Sequence, residues 1–249
     1  MCTIKMKYFI AILLALAAGV ASAQLPMVAA QFGGAVGGSD PYWADVVLLL
    51  VNDNKADTTT SFADQSLLAN TLTAAAPAQY STARAPTGMT SCAHMTSTTS
   101  VVTMTPNTAT VFGTGDFTVE FYYYPQTVHP TQTIGTSWSM VGWQLYGVIA
   151  PQWRFYDNGS QIFQGSTTIG PAWHHVAVVR ASGNVSGYID GVLDAGPTSD
   201  ATNFNDNHFT IGASGGASAD WNICSLRLTK GIARYTSGFA PPTLPLPNH

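Results

Sequence analysis

Hydrophobic and polar positions along this chain alternate in short runs of strand length, punctuated by Gly, Asn, Asp and Ser. Trp173-His174-His175-Val176-Ala177-Val178-Val179-Arg180 carries β-branched residues on both parities, the pattern of a strand buried on both faces. Ser182-Gly183-Asn184 and Asp190-Gly191 are turn signals, so Tyr188-Ile189 and Val192-Leu193 are predicted to extend it as a meander. Phe117 to Tyr124 alternates cleanly: Phe117, Val119, Phe121 and Tyr123 share one face, and Thr118, Glu120, Tyr122 and Tyr124 the other. The first set is the predicted core face. Further strands are expected at Val46 to Val51 and Asn70 to Ala74. Gly142 to Tyr146 and Trp153 to Tyr156 read as a strand pair, with Asp157-Asn158-Gly159 turning the next corner. Trp173, Val176, Val178, Phe117, Phe121 and Leu226 are the expected buried residues.

Composition narrows this to one architecture. The 249 residues suit one large all-β domain with a tail, and Thr, Ser, Gly and aromatics are abundant where helix-surface Glu, Lys and Arg are scarce. Glu120 is the single glutamate. Net charge is −4 and no Lys/Arg stripe exists to displace phosphate counterions, which argues against nucleic-acid binding.

Met1 to Ala23 has the layout of a secretory signal: Lys5 and Lys7, an apolar run from Tyr8 to Val20, and Ala21-Ser22-Ala23 as a small-residue cleavage site before Gln24. The alternative is a retained N-terminal anchor. Residues 24–39 read as a Gly/Ala-rich linker, and the domain is expected over residues 40–249. Cys2 would leave with a signal, so Cys92 and Cys224 remain as a bridge in an exported chain or as two buried thiols in a cytosolic one.

Four stretches taken in order carry a resemblance: Phe112 to Pro125, Trp173 to Val192, Asn203 to Gly216, and Ile223 to Thr243 with its Thr229-Lys230-Gly231-Ile232-Ala233-Arg234-Tyr235. Together they resemble the laminin-G-like, concanavalin A-like lectin/glucanase jelly-roll domains, in the version associated with phage virions. The resemblance spans roughly residues 40 to 247 and implies an all-β jelly-roll β-sandwich. The chain departs from the family's pattern at Asn52-Asp53-Asn54 and Ala93-His94-Met95-Thr96, where Phe-Asp-Gly is usual, and at Cys224-Ser225, where an acidic pair is usual. Because the family's closing strand returns beside its early strands, the resemblance also implies that Cys92 and Cys224 are close enough to bridge.

By the same resemblance the chain is a non-enzymatic, lectin-like adhesion module of an extracellular surface. The leading version is a phage virion protein of tail or head contacting host glycans, with homo-oligomerisation open. The rivals are a secreted or periplasmic bacterial binding protein and a structural decoration subunit. Candidate ligand-binding residues are Glu120, Tyr122 and Tyr124 on a concave sheet surface, with Trp138 and Trp153; the alternative is that Tyr122 and Tyr124 fill space beneath loops. Related folds that hydrolyse glycosides need two carboxylates across the scissile bond, and a lone Glu120 flanked by Thr118 and Tyr122 does not supply them. No cofactor is expected. Laminin-G-like relatives often bind calcium, for which Asp53, Asp57 and Asp64 are the nearest cluster in sequence. His174 and His175, as neighbours on a strand, point to opposite faces and are expected to be structural.

Overall fold

The computed structural model describes residues 39–75, 77–97, 99–126, 132–135, 142–149, 152–213, 220–247 and 249. Strands follow in chain order as β1 (Val46–Leu50), β2 (Leu72–Ala75), β3 (Ala78–Ser81), β4 (Cys92–Met95) and β5 (Val101–Met104). Next come β6 (Phe117–Pro125), β7 (Gln132–Gly135), β8 (Trp143–Ile149), β9 (Gln152–Asp157) and β10 (Ser160–Thr168). The last are β11 (His174–Ala181), β12 (Asn184–Ile189), β13 (Val192–Ser199), β14 (Phe209–Ala213) and β15 (Trp221–Lys230). Two short 3₁₀ turns, Trp43–Asp45 and Thr108–Thr110, are the only helical elements among the described residues.

All pairings are antiparallel and form two sheets, as a jelly-roll sandwich requires. The first runs β13-β12-β11-β6-β15-β4-β3, with β1 sharing the far edge of β15 beside β4. The second runs β10-β9-β8-β7-β14-β5-β2. The predicted meander is present, and its turns show why Gly recurs in them. Ser182 and Gly183 have φ of 49° and 76°, and Asp190 and Gly191 have 51° and 79°. Positive φ at both central residues gives turns whose twist matches the flanking strands. Asn158-Gly159 joins β9 to β10 in the same way.

Between the sheets Val119, Phe121, Val176 and Ile223 meet Trp143, Leu145, Phe155 and Ile211. The parity read for Phe117 to Tyr124 therefore holds. Trp173 is a correction, since it is only half-buried and lies on the opposite face from Val176 and Val178. Its parity is that of His175, Ala177 and Val179, which places it outside the sandwich. Strands β5, β7 and β10 were not legible beforehand. Ser160–Thr168 is an edge strand of mostly exposed polar residues, held by β9 rather than by an apolar face of its own.

What buries the second face of β11 is the chain's own C-terminal segment. Tyr235 packs on Ala177, Val179 and Tyr188, with Phe239 stacked on Tyr235 at 3.6 Å between ring centroids. The amide of Phe239 donates to the Gly191 carbonyl at 2.9 Å, and a Cβ at Gly191 would strike the Phe239 carbonyl. Farther along, Leu244 and Leu246 close over Val46, Leu49 and Met89. Pro241 to Pro247 thus lies across this outer face.

Candidate functional site

Glu120 sits on the outer face, where the alternation puts it, but is fully buried. Arg227 Nε donates to its Oε1 at 2.9 Å, Tyr235 Oη donates to Oε2 at 2.7 Å, and His175 Nε2 lies 3.2 Å from the same oxygen. Arg227 also reaches Asp40 at 2.8 Å, and Arg234 grips both Asp40 oxygens at 2.9 and 2.8 Å. Burial alone would raise the Glu120 pKa; the Arg227 charge, the His175 hydrogen bond and Arg234 outweigh it and hold the carboxyl well below its ordinary range. Burial likewise opposes the ionised form of Asp40, and Arg234 and Arg227 override it. Glu120 is thus a structural charge beneath the C-terminal segment, not a ligand contact. Its partners Arg227 and Arg234, and the Asp40 that both arginines also hold, lie far away in sequence, and no local pattern marks them.

Two other candidates are also taken up by the protein's own contacts. Trp153 is 1% exposed, packs on Phe163, and donates its indole N–H to Asp194 at 2.6 Å. Gly165 makes room for this bond, because a Cβ there would overlap both Trp153 and Asp194. Tyr122 is half-buried against the disulfide and Leu244, and donates its hydroxyl to the Pro242 carbonyl. Burial, then the Glu120 and Asp190 charges, raise its pKa. Space-filling beneath a covering segment is therefore its role. Trp138 lies outside the described residues.

Cys92 and Cys224 are joined as a disulfide between β4 and β15, with Cα atoms 5.1 Å apart. The three aspartates suggested for calcium share the connection between β1 and β2, but each is taken up by a different backbone amide. Asp53 accepts from the Thr90 amide at 2.7 Å, Asp57 from the Thr82 amide at 2.6 Å, and Asp64 from the Leu49 amide at 2.9 Å. Among the described residues no three His, Cys, Asp or Glu side chains converge to hold a metal ion, so these residues do not fit a carboxylate-built calcium site.

Tyr124 is different. It lies on the outer face near the end of β6, and it is half-buried rather than covered. Register places a row across the sheet at this level: Gln79 on β3 pairs with His94 on β4, which pairs with Asn222 on β15, which pairs with Tyr124. Trp173 completes the row, meeting Tyr124 edge to face with centroids 5.6 Å apart. The Arg84 guanidinium stands 5.7 Å over the Tyr124 ring and 3.9 Å from Asp220 Oδ1, and His94 Nε2 holds that same oxygen at 2.8 Å. Two partly open aromatic rings therefore adjoin a cation, an anion, an imidazole and two carboxamides. Of the four candidate residues that the structure describes, Tyr124 alone lies in this constellation. Trp173, Arg84, His94, Asp220 and Asn222 were not read as a site, and only the aromatic character of Trp173 could have suggested it.

A family model described as the concanavalin A-like lectin/glucanases superfamily, of laminin-G type, matches residues 96–225, more than half of the chain. The chain belongs to this superfamily. No curated protein matches it in sequence. A structure of botulinum neurotoxin type C, whose cell entry depends on interaction with two ganglioside molecules, is similar with a TM-score of 0.58 and 18% identity, over 77% of this chain and 49% of that one. The binding domain of botulinum neurotoxin DC in complex with rat synaptotagmin II gives 0.59 and 16%, over 76% and 49%. The same domain in complex with SialylT gives 0.60 and 16%, over 76% and 49%. This superfamily member thus spans about half the length of those structures, and at such identity the likeness is one of fold.

The superfamily name covers binding modules and glucanases, and the carboxylates separate them. Glycoside hydrolysis needs two carboxyl groups flanking the scissile bond. Glu120 is sealed in ion pairs, and Asp220 is the one carboxylate of the open row. Asp157 and Asp200 lie near each other, but both are buried and tied through Thr202 beside Arg180. Burial, then the nearby Asp200 charge, raise the Asp157 pKa against the Thr202 hydrogen bond.

Proposed function

We propose that this chain is a non-catalytic, lectin-like module that holds a surface glycan against Tyr124 and Trp173. The observation that carries the reading is the pairing of two partly open aromatic rings with Arg84, His94 and Asp220 on the outer face. Aromatic faces take the apolar C–H side of a sugar ring, and the polar side chains take its hydroxyls. The botulinum domains of like fold, with ganglioside, SialylT and synaptotagmin as their partners, support glycan or protein binding as a use of this architecture.

The module acts on an exterior surface, and the version carried forward is a phage virion protein of head or tail. The second version, a secreted or periplasmic bacterial protein, is favoured by two observations: the signal-like Met1 to Ala23 and a Cys92–Cys224 disulfide suited to an oxidising compartment. A panel of bacterial surface polysaccharides and mammalian glycans on an array tests the shared core of both versions. Trp173→Ala and Tyr124→Ala are expected to weaken binding of a captured glycan about tenfold each while leaving the circular dichroism of the fold unchanged. Undiminished capture by both variants would sink the assignment.

A further inference from the structure

We infer that the side-chain amide of Asn222 is the hydroxyl-reading floor of this site, and that it takes a vicinal diol of a neutral pyranose when Arg84 moves off Tyr124. This deepens the glycan reading and rests on it. Asn222 lies between His94 and Tyr124 in register, on the same outer face, and is fully buried. Neither its Nδ2 nor its Oδ1 has a protein hydrogen-bond partner. A buried amide left unpaired on both ends is costly, and a strand position flanked by Trp221 and Ile223 in the core has no backbone reason to hold one.

The ligand class follows from the charges around that amide. An anion would satisfy Nδ2 but set like charge against Oδ1 and the Asp220 carboxylate, while a cation would meet Nδ2 and Arg84. A neutral group that both donates and accepts fits: one hydroxyl of a vicinal pair accepts from Nδ2 while its neighbour donates to Oδ1. The sugar ring then rests beside Tyr124 and Trp173. Arg84, which stands over the neighbouring Tyr124 ring, is the side chain that moves aside in this proposal. Its side chain is 31% exposed, and its hold is a 3.9 Å ion pair and a 5.7 Å contact over the ring, both weak at a surface. Asp220 keeps His94 as a partner when Arg84 leaves.

The test is a titration of the full ¹⁵N-labelled chain with methyl α-mannopyranoside, methyl β-glucopyranoside and methyl β-galactopyranoside, then with the deoxy analogues of whichever binds. The Asn222 side-chain NH₂ signals, assigned by their loss in Asn222→Asp, and the Trp173 indole signal, assigned by Trp173→Phe, are followed together. Both are expected to move with at least one sugar, and one deoxy analogue is expected to bind about tenfold more weakly, as sites built on paired hydroxyls reject analogues lacking one. Asn222→Leu is expected to keep or raise the unfolding midpoint while losing about tenfold or more in affinity. A Trp173 signal that moves while Asn222 stays fixed would overturn this inference and leave the glycan reading standing. No movement of either signal across the three sugars would count against both.

Discussion

Glu120 and Arg227 face each other across β6 and β15, with Arg227 Nε 2.9 Å from Glu120 Oε1 and both side chains essentially closed to solvent. Around this pair the C-terminal segment is fastened, since Tyr235 donates to Glu120 and Arg234 binds the Asp40 that Arg227 also holds. Removing one charge of a buried pair strands the other. Glu120→Gln is therefore expected to lower stability by about 3–5 kcal/mol in urea unfolding, and to release the segment to protease before the sandwich opens. A loss below about 1 kcal/mol would show that the network contributes little net stability.

Acid should act through the same residues. The folded-state pKa values of Glu120 and Asp40 lie below their unfolded values of about 4.3 and 3.9, so the unfolded chain binds more protons as the solution is acidified. Their contribution is complete above the unfolded values and is lost as pH falls through the folded ones. Unfolding midpoints measured from pH 7 to 2 should fall most steeply below about pH 4.5, with a shallower fall in Glu120→Gln. Equal slopes in the two proteins would remove Glu120 from the account.

The Cys92–Cys224 bond encloses most of the chain between early and closing strands, at a sequence separation of 132. In the loop-closure model such a link restricts the unfolded chain by up to about 4–5 kcal/mol. The Cys92→Ala, Cys224→Ala double variant should lose about 2–5 kcal/mol, and a reductant should lower the midpoint of the native chain but not of the variant. Quantitative thiol labelling of the native chain under denaturing conditions, before reduction, checks the bond itself.

Export makes a separate prediction for Met1 to Ala23. Intact-mass measurement on protein from its natural source should give a chain beginning at Gln24. Retention of Met1 or Met6 would identify the segment as an anchor or assembly arm.

Much of the fold was legible because a strand's period of two is a local property of the backbone. Phe117, Val119 and Phe121 had to share a face, as had Val176 and Val178, and Asp190-Gly191 had to turn the chain, whatever lay elsewhere. Alternation states which residues share a face, but not what crosses that face. Glu120 and Tyr122 belong to the side that looked open, and a segment more than a hundred residues later covers them, so their surroundings came from Tyr235, Arg234 and Pro242. Trp153 and Tyr124 were equivalent as aromatic residues on strands. Packing on Phe163 and a bond to Asp194 made one of them core, and the other stays half-buried beside Trp173. Asn222 bears no local mark at all, because its isolation depends on what the register of β4, β6 and β15 sets beside it. The sequence by itself determined most of the strands, which of their residues share a face, and the tight turns; only the tertiary structure decided which faces turn inward and which outer positions are sealed or left partly open, since that cover is built from long-range contacts no local period encodes.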